Sequence, residues 1–186
     1  SGPMRELAKI NNRIEYLGKR SVRFLWIDEQ HADMRRMASL FLQLIHESFS
    51  IDIKVRVNDQ CFILDYLNDN GMEISSEKDL RIIDAPIKEI CPLGYTAIAS
   101  YSSALLELSA SGFKSVFLET PKWGDYYNLK GCYSHLLITD NQQSIVDFFN
   151  SEVDVSQYIQ LRNRFFGHSN EEDLWIVKTF LDLFDR

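Results

Sequence analysis

Residues 95–121, YTAIASYSSALLELSASGFKSVFLETP, decide how this chain is read. Tyr95–Ala99 is a short apolar run and reads as a buried strand. Ser100, Tyr101, Ser102 and Ser103 make a polar turn, and a largely apolar helix follows with one acid, Glu107, in its second turn. Gly112 stops that helix, and 115–118 is a second apolar run. Strand, serine-rich turn, helix and strand make a βαβ unit whose turn lies at the carboxyl end of a strand, where open parallel sheets bind ligands. Hydroxyls and free N–H groups at a helix N-terminus suit a phosphate. One serine there is explained by helix capping. Three serines and a tyrosine in four residues, with an acid one turn later, point to a phosphate and sugar-hydroxyl site.

Working outward, alternating strands and helices predict an α/β domain, Rossmann-like and three-layered, with a mostly parallel sheet and C-terminal helices. The apolar run 22–27 reads as a strand and 32–48 as a helix with a stripe of Met34, Met37, Ala38, Phe41, Leu44 and Ile45. Segment 51–57 reads as a strand, 61–68 as a short helix stopped by Asn70-Gly71, and 72–75 as a short strand. Segment 80–83 is a strand or extended loop and 86–91 one helical turn. Segment 122–133 reads as a loop, 136–138 as a strand, and 142–149, 155–166 and 171–184 as helices. The expected organisation is a tag scar and helix or linker over 1–20, a Rossmann-like ligand-binding domain over 21–150, and helices packing on it over 151–186.

The bulk properties narrow the classes. A length of 186 residues suggests one domain or a little more. A net charge of −7 argues against a nucleic-acid groove, which shows as a basic face. Cys61, Cys91 and Cys132 are far apart without CxxC spacing, so they read as buried free thiols in a reducing compartment. No apolar run reaches the ~20 residues of a spanning helix. No Gly-rich nucleotide fingerprint or HExxH pair occurs, and no metal or cofactor is expected.

The stretch SYSSALLE, followed by a small-residue helix, Gly112 and a strand, resembles the C-terminal donor-binding domain of GT-B glycosyltransferases. It is most similar to those of bacterial surface-polysaccharide synthesis, the sialyl-, polysialyl- and glycerophosphate-transferase relatives. The resemblance implies that Ser102 and Ser103 hold the phosphate of a nucleotide-activated sugar donor, with Tyr101 in the same turn, and that Glu107 meets donor hydroxyls. Arg56, in IKVRVND, matches the arginine of an Arg-x-His-Pro strand end, while Asn58-Asp59 stands where His-Pro would be. The loop after the next strand would face the cleft, with Thr120 as a site residue; read from the residues themselves, Lys122 could meet phosphate, and Trp123, Tyr126 and Tyr127 either stack on a base or sugar or cover the core from a long loop. Glu29 and His31, after the first strand, are the acid/base candidates. The resemblance implies a cytoplasmic protein, placed at the inner membrane surface through a partner if at all. It also implies a missing acceptor-binding domain or partner chain, because GT-B active sites lie between two such domains.

Two other classes compete. One is a non-catalytic binding or assembly module on the same fold. The other is a degenerate response-regulator receiver, with Asp28 and Glu29 as its Mg²⁺ acids and Asp84 as its phosphorylated residue. The interval from Asp84 to Ser100 is short for the helix a receiver needs there.

Overall fold

The computed structural model describes residues 18–29, 33–56, 60–74, 80–85, 94–119 and 124–166. Six strands and five helices follow one another in these residues. They are β1 (Arg23–Ile27), α1 (Met34–His46), β2 (Ile51–Lys54), α2 (Phe62–Asp69), β3 (Leu80–Ile83) and β4 (Tyr95–Ala99), then α3 (Ser103–Ala110), β5 (Lys114–Leu118), β6 (Leu136–Thr139), α4 (Gln142–Asn150) and α5 (Tyr158–Phe166). The expected helices over 6–20 and 171–184 and the turn over 86–91 fall wholly or largely outside the described residues, as do His31, Thr120, Lys122 and Trp123.

All six strands run parallel in one sheet, in the order β3-β2-β1-β4-β5-β6. This is the Rossmann-like α/β architecture the alternation predicts. Its central strand is β1, with Phe24 beside Ile51 of β2 on one side and Thr96 of β4 on the other. The chain builds outward from β1 to β3, returns to the centre at β4, and builds outward the other way. The order therefore reverses between β1 and β4.

Strands buried on both faces need apolar side chains pointing both ways, and the runs supply them. One face carries Phe24, Trp26, Ile51, Ile53, Ile98 and Val116 against α1, α2 and α4. The other carries Leu25, Ile27, Ala97, Ala99 and Phe117 against α3 and α5. Helix α1 buries Met37, Ala38, Leu40, Phe41, Leu44 and Ile45, so the predicted stripe faces the core, with Met34 half-buried at its start. Helix α3 is stopped by Gly112, whose φ of 86° is left-handed backbone that suits a glycine.

Three expectations need correction. Met72, Glu73 and Ile74 form no strand. The Met72 amide donates to the Leu67 carbonyl at 2.9 Å, with Gly71 at φ 63°, so these residues complete the C-terminal cap of α2. Cys132 is exposed and Cys61 half-buried, rather than both buried, because each lies in a connection and not in an element's apolar stripe. Strand β2 ends at Lys54.

Candidate functional site

The order reversal between β1 and β4 opens a crevice at their carboxyl ends, the position where doubly wound sheets bind ligands. Parallel pairing sets Trp26 beside Ile98, so the two chains leave the sheet side by side. Asp28 and Glu29 leave from β1; Ser100, Tyr101, Ser102 and Ser103 leave from β4. The serine turn therefore lies at the switch point, directly across from the paired acids.

The two acids diverge. Asp28 turns toward β2 and accepts from the amides of Phe62 (2.6 Å) and Ile63 (3.1 Å), the first two residues of α2. Cys61, the residue in the capping position of α2, makes no side-chain cap bond, so Asp28 caps that helix from another strand. Burial pushes the Asp28 carboxyl up to about 6, against the lowering pull of those two amides. Glu29 turns the other way. Its Oε2 accepts from the Ser100 amide at 3.1 Å and the Ser100 hydroxyl at 2.7 Å. The Ser102 hydroxyl and the Tyr101 amide also act to hold its ionised form. Burial is the larger effect, and it raises the Glu29 carboxyl above its ordinary range. Asp33 accepts from the Arg36 amide at the start of α1. Thus the β4 turn and the N-termini of α1 and α2 each hold a carboxylate of the protein itself.

Helix α3 differs from those two. Ser102 occupies its capping position in extended conformation, yet its side chain makes no cap bond. The bland explanation of this serine as a helix cap therefore does not describe what it does. Ser103 opens the helix and is exposed. Glu107, one turn later on the same side, is half-buried and no hydrogen bond to its carboxylate is found among the described residues; burial raises its pKa. Two tyrosines flank the turn. The Tyr127 hydroxyl donates to the Tyr101 carbonyl at 2.8 Å, and the Tyr126 ring, 56% exposed, stands 6.0 Å from that of Tyr101 and 4.9 Å from that of Tyr127. Asp125 fixes this loop by accepting from the amides of Leu129 and Lys130 at 2.8 and 2.7 Å. Tyr127 also meets Phe117 and Phe165 edge-on, so it serves the core and the turn together.

The structure thus brings Glu29, Ser100, Tyr101 and Ser102 together, with Ser103 next to them in the chain. It does not bring in Arg56. That residue follows β2, one strand away from the switch point, with an exposed side chain and no bond to the serine turn. Ser100 was missed as a site residue in its own right. The signal that would have found it is the strand order, which puts the first residue after β4 beside the residues after β1.

The crevice lacks a metal cage: among the described residues no group of three or more His, Cys, Asp or Glu side chains is poised to hold an ion. Burial pushes the Cys61 thiol up to about 12, which disfavours the thiolate that nucleophilic chemistry needs. A small cavity of about 90 Å³ between α1 and the end of β5 takes in none of the serine-turn residues, and its Arg36 is paired with Asp140. The receiver arrangement does not fit. In the flavodoxin-like order the first strand lies between the second and third. Here β3 is the outermost strand, and Asp84 leaves the sheet with β2 between it and the acids of β1.

None of the described helices is long and apolar enough to cross a membrane. No protein-family model matches this sequence, and neither a curated protein nor a solved structure matches it.

Proposed function

We propose that the chain is the donor-binding domain of a glycosyltransferase, taking the phosphate of a nucleotide-activated sugar at the turn between β4 and α3. The observation that carries this reading is the place of the serine turn. It lies at the carboxyl ends of β1 and β4, where the strand order reverses, and it already holds a carboxyl side chain, that of Glu29. Ser102, free of a capping role, and Ser103 would bind the donor phosphate. The first amides of α3 would stabilise the leaving nucleotide as negative charge builds on it, through preorganised dipoles. Tyr101 and Tyr126 offer ring faces to a base or sugar. Glu107 would accept from sugar or ribose hydroxyls, a role suited by its half-buried carboxylate, which has no hydrogen-bond partner among the described residues. The acceptor half of the site would come from a second domain or chain, and the glycan made would belong to a bacterial surface polysaccharide.

A second reading, a binding module without a phosphate site, draws support from one observation. Glu29 satisfies the Ser100 amide and hydroxyl internally, so the turn is stable without a ligand.

A thermal-shift screen against CMP, CDP, UDP, GDP and their sugar conjugates separates the two. A ligand at about 100 times its dissociation constant stabilises the fold by about 2.7 kcal/mol. The donor reading expects one nucleotide class to do this and the Ser102→Ala/Ser103→Ala double variant to lose the effect. A flat response across the panel, or an unchanged response in the double variant, supports the module.

A further inference from the structure

Glu29 is bonded to the same turn to which the donor reading assigns a phosphate, and this carries an inference that rests on that reading. One oxygen, Oε2, takes both the amide and the hydroxyl of Ser100, and Ser100 itself is buried. The Tyr101 amide and the Ser102 hydroxyl add to the same cluster of donors. No lysine or arginine forms an ion pair with Glu29 among the described residues. The carboxylate is therefore held by neutral donors alone, in a half-buried position that penalises its charge. Such donors serve a phosphate oxygen equally well, and a phosphate group offers more acceptor positions than a carboxylate. Two anions cannot share them, because like charges at contact distance repel strongly.

We propose that Glu29 is a displaceable internal occupant of the phosphate position: it keeps the donors of the β4–α3 turn arranged for an anion and must leave when the phosphate arrives. The geometry supports departure. Glu29 belongs to β1's exit and not to the turn, so the carboxylate and the donors it occupies lie on separate segments of the chain. The neighbouring groups Asp28, Tyr101 and Tyr127 interact with it through space and provide no cation to hold it back.

The test is calorimetric titration of the full chain and its Glu29→Ala and Glu29→Gln variants with inorganic pyrophosphate, and separately with the nucleotide panel, at one fixed pH. Circular-dichroism melts report whether each variant folds, and Glu29→Gln, which keeps the side-chain shape, decides the matter if Glu29→Ala does not. Loss of the competing charge is expected to tighten pyrophosphate binding by about tenfold or more. Binding no tighter than in the parent chain, or absent from all three proteins, overturns the proposal. Its fate and that of the donor reading separate cleanly. Tightened pyrophosphate binding with no nucleotide response keeps the internal occupant and removes the nucleotide donor. Nucleotide binding that depends on Ser102 and Ser103 but ignores Glu29 keeps the donor and removes the occupant.

Discussion

The Glu29 carboxylate, from the end of β1, accepts both the amide and the hydroxyl of Ser100, from the end of β4, at 3.1 and 2.7 Å. This contact joins the two strand exits at the switch point of the sheet and ties the candidate site to the two central strands. Ser100→Ala removes the shorter of the two bonds from a half-buried charge. A loss of about 1–2 kcal/mol of unfolding free energy is expected. The Glu29 carboxyl, already raised by burial, should rise further, because a bond to its ionised form is gone. Urea denaturation and a carbon-13 titration of the Glu29 carboxyl measure the two effects; no change in either would show that the contact contributes nothing.

Asp52 anchors the opposite, amino-terminal end of the sheet. Its carboxylate is fully buried on β2 and accepts from Arg23 Nε at 2.9 Å, from Arg81 Nε and Nη2 at 2.9 and 2.8 Å, and from the Tyr95 hydroxyl. Burial opposes the charge, yet the bonds from Arg81, Tyr95 and Arg23 hold the carboxyl below its ordinary range. One residue thus links β1, β2, β3 and β4. Asp52→Ala strips the partner from the half-buried Tyr95 hydroxyl and Arg23 guanidinium and removes a fully buried ion-pair hub, and is expected to cost about 3 kcal/mol. Arg81→Ala should cost far less, about 1 kcal/mol or under, since that side chain is 60% exposed and water screens it. Equal losses in the two variants, measured by denaturant unfolding, would contradict this ranking.

Lys114 is a buried lysine at the start of β5. Its Nζ donates to the Phe149 and Ser151 carbonyls at 3.0 and 2.8 Å, closing the C-terminal end of α4 onto the sheet. Burial lowers its pKa from 10.5 to about 8. The unfolded chain then keeps this proton over a pH range in which the folded chain has lost it. Stability from this group should therefore rise as pH increases from about 8 to 10.5. The Lys114→Met variant, compared with the parent by denaturant unfolding across that window, should lack the rise. A parallel pH dependence in both proteins would assign it to other groups.

Asp28 has the opposite sign. Its folded carboxyl is raised by burial from 3.8 to about 6, so the folded state holds a proton that the unfolded state has released. Its contribution is fully present below 3.8 and is lost as pH rises through about 6. Asp28→Asn keeps an oxygen for the amides at the start of α2 and cannot titrate. The difference in unfolding free energy between parent and variant should shift steadily across this window and be flat above it. A flat difference throughout would mean that Asp28 is not titrating where its burial places it.

The sequence and the structure agree where a single period carries the information. The runs ending at Ile27 and Ala99 are apolar on both faces, as central parallel strands must be, and the stripe of α1 is read directly from its spacing. Asp52 and Lys54 resist such reading. They alternate with Ile51, Ile53 and Val55, which suggests a wet face, yet both are buried: Arg23, Arg81 and Tyr95 converge on Asp52 from three other strands, and the Lys54 ammonium donates to the Val55 carbonyl. Segment 72–74 misled for a local reason: the Met72 amide serves the cap of α2 instead of a ladder, and Ile74 packs against the core from a connection. At the candidate site the serine turn was legible from composition. Its filling by Glu29 was not, because the contact spans 71 residues and exists only through the strand order.

The central claim is that the turn between β4 and α3 binds the phosphate of a nucleotide-activated sugar. It is tested most directly by following the backbone amides in ¹H–¹⁵N NMR spectra while the nucleotide panel is titrated in. The account expects one nucleotide class to shift the amides of Ser100 to Leu105 first and most, with Glu29 following and the Ser102→Ala/Ser103→Ala variant silent. Shifts confined to other parts of the sheet, or none with any nucleotide, would contradict it.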